Sequence, residues 1–443
     1  MGDNVGREIE LTVDRIAHGG IAVGRLDGRV VFVSDAIPGE TVRARVSDDR
    51  KKSFWRADTI AVLEASEHRR EHVWPAAALD RDPRSRVGGA EFGHIALAHQ
   101  RELKRQVLVE SLQRFAGLDA DGLPGRASAE GAAEGSADGA AEGSAGGSGG
   151  DSARLVVEAL PGDDAVNGLG WRTRIRLHVD PQGRLGPMAS RSHTVIPVTD
   201  APLATPAVQA AIPFAERFTG LGTLDVLAPT VGEPRLVIGE QKPSVIREVV
   251  GGREFQLDDT GFWQVHRAAP AVLSAAVQQA IDPALFDPRA DNLDLYGGVG
   301  LLAAAVAERF GPGTRITSVE ADERATDHAS ENLAEWVGAS AETGRVDRWL
   351  RSLDAGASAA DRERLRAATV VLDPPRSGAG GEVMQLLGRL APAQLVYVAC
   401  DPVALARDVA LAAEHGYRLA GIRGLDLFPH THHLEAVATL VRT

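Results

Sequence analysis

From residue 8 to about residue 66, apolar and polar positions alternate in short runs, each broken by turn formers: 9–13, the His18-Gly19-Gly20 break, 28–33, Pro38-Gly39, then 41–46. A period of two puts one face of each run into a core, and closely spaced turns fold the next run back beside it. The expectation is a small antiparallel barrel. The period changes at 96–115, where Leu97, Leu103, Val107, Leu108, Leu112 and Phe115 fall at helical spacing before Gly117, which predicts one long helix. The Ala/Gly/Ser/Asp/Glu tract over 118–152 has almost nothing to bury and is expected to be an unstructured insertion. Strand-like stretches at 173–179, 194–198, 236–239 and 245–249 predict a mixed α/β region. Beyond it helices (270–280, 301–310, 322–336, 382–390, 402–414) alternate with apolar strands (292–296, 316–320, 369–372, 395–399). That alternation predicts an α/β fold with a doubly wound, Rossmann-like parallel sheet, whose ligands sit at the carboxyl ends of the strands. The chain thus divides into a barrel (1–66), a middle domain (67–255) carrying the insertion, and a sheet domain (256–443).

Charge changes this picture only when it is located. The net charge of −13 argues against nucleic acid at first sight. Seven acids against the single base Arg126 lie between Leu118 and Asp151, however, so that tract alone supplies −6. Basic residues gather elsewhere: Arg43, Arg45, Arg50, Lys51, Lys52 and Arg56 in the barrel, and Arg172, Arg174, Arg176 and Arg184 in the middle region. These are solvated strand faces or an RNA footprint, depending on what accompanies them. The amino terminus has no basic start followed by an apolar stretch, and no apolar run approaches the roughly 18 residues of a membrane span. A cytoplasmic protein without a membrane association is expected. The single cysteine, Cys400, excludes an internal disulfide and any all-cysteine metal or iron-sulfur cage.

Candidate chemistry lies at the carboxyl edge of the expected sheet. Asp294-Leu295-Tyr296-Gly297-Gly298-Val299-Gly300 ends its first strand, where Gly298 and Gly300 let a ligand approach the following helix, and Glu320 closes the second strand as an acceptor for ribose hydroxyls. Alone, this also fits a dinucleotide fingerprint, so an NAD enzyme is a rival at this point. Asp373-Pro374-Pro375-Arg376 ends the fourth strand and resembles the motif with which methyltransferases hold a planar base. Val398-Ala399-Cys400-Asp401-Pro402 then brings the only thiol to the same edge, before a helix whose amino terminus would favour its thiolate. Near the end, His430, His432 and His433 precede Glu435. Their spacing matches no metal cage, and no metal is expected.

Together these motifs resemble, in order, the RNA 5-methyluridine (uracil-C5) methyltransferases, as does Phe262-Trp263-Gln264-Val265 ahead of the sheet. The run from Gly19-Gly20 through Val30-Val31-Phe32-Val33 to Ile37-Pro38-Gly39-Glu40 resembles the TRAM domain, an oligonucleotide-binding-like barrel. The resemblance implies S-adenosylmethionine as cofactor, with Gln264, Tyr296, Gly298, Gly300, Glu320 and Asp373 around cofactor or target base, Cys400 as nucleophile and Glu435 as base. It implies RNA as partner, ribosomal RNA favoured over transfer RNA because TRAM-like barrels are typical of relatives acting there, and no obligate protein partner. In the barrel Phe32, Phe54 and Trp55 are candidates either for base stacking or for the core. Two departures stand out. Where many relatives carry the cysteines of an iron-sulfur cluster this chain reads Arg86-Val87-Gly88-Gly89-Ala90-Glu91-Phe92, so no cluster is expected, and Asp401 replaces the usual Asn after the nucleophile, placing a negative charge beside a thiol that must ionise. The alternatives are an amino-group methyltransferase, for which Asp-Pro-Pro suffices, and an RNA-binding factor with an inactive catalytic domain.

Overall fold

A computed structural model describes residues 4–119, 155–239 and 241–443. From residue 120 onward the expected acidic insertion lies outside the described residues.

Strands β1 (Glu8–Ala17), β2 (Ile21–Leu26), β3 (Arg29–Ser34), β4 (Thr41–Asp48) and β5 (Phe54–Glu64) close into a barrel in the order β1-β2-β3-β5-β4. Alternate residues, among them Leu11, Val13, Val31, Val33, Val42, Ala44 and Ala57, fill its interior, and closure leaves no unpaired edge. Trp55 belongs to this core, whereas Phe32 and Phe54 are partly exposed and pack edge to face at 5.2 Å. The barrel is therefore not purely antiparallel: β3 runs parallel to β5.

The long helix, α1 (Leu97–Ala116), ends where Gly117 takes φ +65 and turns the backbone left-handed. A two-residue strand, β6 (Val157–Glu158), precedes a four-stranded antiparallel sheet of β7 (Arg174–Val179), β8 (Leu185–Gly186), β9 (Thr223–Leu227) and β10 (Arg235–Ile238), with α2 (Pro206–Ala211) inserted before β9. The strand expected at 194–198 does not form. That segment makes one isolated bridge, Met188 with Val195, and Pro197 removes a ladder donor. A hairpin, β11 (Val245–Val250) with β12 (Arg253–Asp258), leads into the larger sheet.

There α3 (Ala269–Ala280), β13 (Asn292–Leu295), α4 (Leu301–Phe310), β14 (Ile316–Glu320), α5 (Glu323–Asn332), β15 (Ala339–Thr343), α6 (Val346–Gly356), α7 (Ala359–Arg366), β16 (Thr369–Leu372), α8 (Gly380–Leu390), β17 (Gln394–Ala399), α9 (Pro402–Glu414), β18 (Tyr417–Leu425) and β19 (Glu435–Arg442) follow. The sheet order is β15-β14-β13-β16-β17-β19-β18-β6. Period two in the central strands divides two cores: Val396 and Val398 face α3 and α4, while Leu395 and Tyr397 face α8 and α9, which α1 also covers. The expected all-parallel sheet needs one correction, because β19 is antiparallel to both β17 and β18. The expected helix 322–336 is also shorter. It stops at Asn332 because Leu333 turns inward beneath Gly300.

Candidate active site

The carboxyl ends of β13, β14, β16 and β17 and the first residue of β19 open on one cavity of 960 Å³. Gln264, Tyr296, Gly298, Glu320, Asp373, Cys400 and Glu435 all line it. Gly300 does not. Both glycines have positive φ, +55 at Gly298 and +86 at Gly300, but they serve different ends. A Cβ on Gly298 would meet no protein atom within 4 Å, so the residue leaves cavity space free, whereas one on Gly300 would press on Leu333 Cγ at 3.2 Å. Gly300 thus lets Leu333 pack against the start of α4. The turn is fastened from below by Asp294, whose Oδ2 accepts from the Ala303 N–H and the Ser318 hydroxyl, both at 3.1 Å. Burial pushes this carboxyl up to about 7. Glu320 Oε2 accepts from Gly298 N at 3.1 Å and Oε1 from Ala321 N and Asp322 N. The carboxylate is therefore held at the sheet edge with acceptor capacity on Oε2 still open.

On the strand next to β13, Asp373 leaves β16 with its N–H donating to Leu295 O at 3.2 Å, and Pro374 and Pro375 stiffen the chain after it. Burial, reinforced by Asp294, raises its carboxyl to about 7. Glu435 opens β19 at 5% exposure, and burial followed by the charge of Asp373 raises its carboxyl well above the ordinary range. Cys400, partly exposed, follows β17. Burial first, then Glu435 and Asp373, push its thiol up to about 12, while Arg376 opposes them. The expectation that the α9 amino terminus would favour the thiolate is not met in the free site. Asp401 caps that helix instead, its Oδ1 accepting from Val403 N at 3.0 Å and Ala404 N at 2.9 Å, so these donors are already satisfied.

The loop that delivers Glu435 is tied to α1. Lys104 Nζ donates to Asp426 Oδ1 at 2.5 Å and to Phe428 O at 3.0 Å, and Gln100 bonds both the backbone N–H and Nδ1 of His430. No group of three or more His, Cys, Asp or Glu side chains that could hold a metal ion occurs among the described residues. His430 is buried, with Nε2 on Asn167 O at 2.7 Å, His432 packs against the barrel residue Gly20, and His433 lines the cavity.

Comparison with known proteins agrees with this geometry. Residues 3–54 match the profile of the TRAM domain and residues 255–443 that of tRNA (Uracil-5-)-methyltransferase. An uncharacterized RNA methyltransferase of Streptomyces avermitilis is 34% identical over 98% of both chains, and one of Streptomyces coelicolor is 33% identical over 98% of this chain and 93% of its own. The chain belongs to the RNA (uracil-5-)-methyltransferase family. Its fold is shared with the Pyrococcus abyssi tRNA (uracil-54, C5)-methyltransferase, solved with S-adenosyl-L-homocysteine, at a TM-score of 0.64 and 19% identity over 98% of this chain and all of that one. The methyl donor of the family is S-adenosylmethionine. The residues present fit it, because the open space over Gly298 and the free acceptor capacity of Glu320 face the same cavity as Cys400.

The cavity also takes in residues that the motifs left unassigned. Arg172, Phe262, Asp322, Arg324, His328, Arg376 and His433 also line the cavity. Arg376 was visible as the residue after Asp-Pro-Pro, and Arg172 as a member of a basic run. Asp258 and His328 carried no sequence signal. They meet only because β12 packs on α5, where Asp258 pairs with Arg324 and His328. In the interval 86–92, where no cluster cysteines occur, buried Arg86 donates to Asp35 Oδ2 at 2.7 Å, Thr59 O and Leu79 O. It thereby cross-links barrel and middle region.

Proposed function

We propose that this chain methylates carbon 5 of a uridine in RNA through a covalent bond between Cys400 and the base, with Glu435 removing the carbon 5 proton. The observation that carries the reading is the convergence of its one thiol, a buried glutamate and the Asp-Pro-Pro aspartate on a single cavity with the glycine turn. Gln264, Tyr296, Gly298 and Glu320 would hold S-adenosylmethionine, which supplies an electrophilic methyl group when bound. Asp373, whose carboxyl burial raises to about 7, can accept from the edge of a planar base and, when protonated, donate to it.

Carbon 5 of uracil is a weak nucleophile. Addition of the Cys400 sulfur to carbon 6 moves electron density to carbon 5 and the carbonyl oxygen, and Arg376 is the cation placed to favour both the thiolate and the developing charge. Once carbon 5 bears hydrogen and methyl, Glu435 takes the proton, the carbon 5–carbon 6 double bond re-forms and the sulfur leaves as thiolate. Burial of Glu435 assists this step, since the low-dielectric site favours its neutral form and makes it a stronger base than an exposed glutamate. The target uridine must leave its stack to reach the cavity.

Two variants test the mechanism. Cys400→Ala is expected to give neither product nor adduct. Glu435→Gln keeps the nucleophile, so methylated RNA accumulates on the protein through a bond that survives denaturing electrophoresis, as does RNA carrying 5-fluorouridine with the unmodified enzyme. Methylation by Cys400→Ala at near-normal rate, or no denaturation-resistant complex in either trap, would overturn it. We place ribosomal RNA ahead of transfer RNA as substrate because of the barrel, while the description of the matched family profile speaks for transfer RNA. Mapping 5-methyluridine by mass in both RNAs from a strain lacking the protein decides between them.

A further inference from the structure

We propose that His18 is a positioning residue for the reaction: the turn between β1 and β2 delivers it onto Asp401, where it orients that carboxylate and offsets the negative charge next to Cys400. The proposal rests on the reading of Cys400 as nucleophile. His18 and Asp401 are 383 residues apart, yet His18 Nε2 lies 2.8 Å from Asp401 Oδ2. The two oxygens of Asp401 divide their work, because Oδ1 caps α9 while Oδ2 faces the barrel. A small cavity of 120 Å³, lined by His18, Gly20, Arg376, Cys400 and Asp401 among others, joins the barrel turn to the thiol. The barrel therefore contributes a side chain to the catalytic edge.

The charges around this contact give His18 its purpose. Burial, Glu435, Asp373 and Asp401 all disfavour the Cys400 thiolate, and Arg376 is the cation that favours it. An unpaired Asp401 would add its full charge to that opposition. The hydrogen bond to Asp401 and its charge raise the His18 pKa above the ordinary value, against partial burial and the repulsion of Arg407 on α9. Lys104, His432 and His433 line the same small cavity, and none of them is altered in the test below. The sign follows from linkage. A raised histidine pKa means the pair is charged and neutral overall at low pH, and that its benefit to the thiolate fades as pH rises through the His18 midpoint. His18 is half exposed and Asp401 one-fifth exposed, so the effect is screened and moderate.

Because Cys400 is the only thiol in the chain, its ionisation can be read on the whole protein without RNA, as the rate of alkylation by iodoacetamide from roughly pH 6 to 9. His18→Ala is expected to alkylate roughly three- to tenfold more slowly at the acidic end, with the gap closing as pH rises. His18→Gln, which keeps a donor but no charge, should behave as the alanine variant does. Asp401→Asn should alkylate at least as fast as wild type, and adding His18→Ala to it should change nothing. Identical profiles for wild type and His18→Ala, restoration of the rate by His18→Gln, or a His18→Ala effect that persists in the Asp401→Asn background would each overturn the proposal. The nucleophile reading fails on a different result, methylation by Cys400→Ala, which leaves the alkylation comparison intact.

Discussion

At Cys400 two demands conflict: the thiol must ionise to add to the base, yet it is partly buried beside the carboxyls of Glu435 and Asp373. The conflict is eased while those carboxyls carry protons as the thiol ionises, but Glu435 must release its proton before it can take the one from carbon 5. The raised pKa values of both carboxyls favour their protonated forms, and each proton they lose with rising pH makes the thiolate harder to form. Glu435→Gln removes one of these groups for good. Its Cys400 is therefore expected to alkylate several-fold faster than wild type at alkaline pH, with the two converging as pH falls and Glu435 becomes neutral. An unchanged alkaline rate would show that Glu435 does not govern the thiol. Glu320 presents a simpler case. It accepts from the Gly298 N–H as well as facing the cavity, so Glu320→Ala loses a charged acceptor and loosens the glycine turn together. S-adenosylmethionine affinity measured by calorimetry should fall by about 1–3 kcal/mol, and binding of NAD in its place would contradict the family assignment.

Elements fix where these residues stand, and one ion pair holds the element that matters most. Lys104 on α1 and Asp426 are both fully buried, and burial, with the charge of Arg101, pulls the lysine pKa down while Asp426 holds it up. Lys104→Met would strand the Asp426 carboxylate without its cation, although Arg101 Nε remains 3.4 Å away. A loss of about 3–5 kcal/mol in unfolding free energy is expected from denaturant titration, with a larger loss of methylation than of S-adenosylmethionine binding because the loop to Glu435 is released. This tie was invisible in the sequence, since nothing local marks a lysine on an amphipathic helix as buried. The legible elements were those whose period reports a local environment: 301–310 and 402–414 as helices, 316–320 and 369–372 as strands, all found with those bounds. β18 and β19 escaped because a continuous apolar run such as 435–442 does not distinguish a buried strand from a buried helix. The site residues were legible for another reason. Tyr296, Glu320, Asp373 and Cys400 stand at strand ends in order, so the topology of the sheet gathers them at one edge, whereas Gln264 and Glu435 were assigned through the family resemblance.

On the scale of the whole molecule, the barrel is not a loose appendage. Glu40, fully buried, pairs with Arg69 at 2.6 Å, Arg86 reaches Asp35, and Arg15 pairs with Glu110 of α1 at 3.0 Å. These contacts fasten its flank, while the β1–β2 turn meets the catalytic edge through His18 on Asp401 and through the close approach of Gly20 to His432. A Cβ on Gly20 would lie 2.4 Å from His432 Cβ and 3.1 Å from Phe92 Cε1, distances that require the barrel or the Glu435 loop to move. Its neighbour Gly19 is an internal control, because it shares a positive φ, +86 against +71, but a Cβ there would meet nothing within 4 Å. Gly19→Ala and Gly20→Ala thus carry similar backbone strain, on the order of 1–2 kcal/mol, and differ in docking alone. Both variants are expected to bind S-adenosylmethionine like wild type, since neither Gly19 nor Gly20 lines the cavity that holds Gly298 and Glu320. Gly19→Ala should keep most of its RNA methylation. Gly20→Ala should lose it by about tenfold or more, because a misplacement of roughly 1 Å at a catalytic edge is amplified in rate. Equal activities for the two would show that the contact between barrel and catalytic edge is passive.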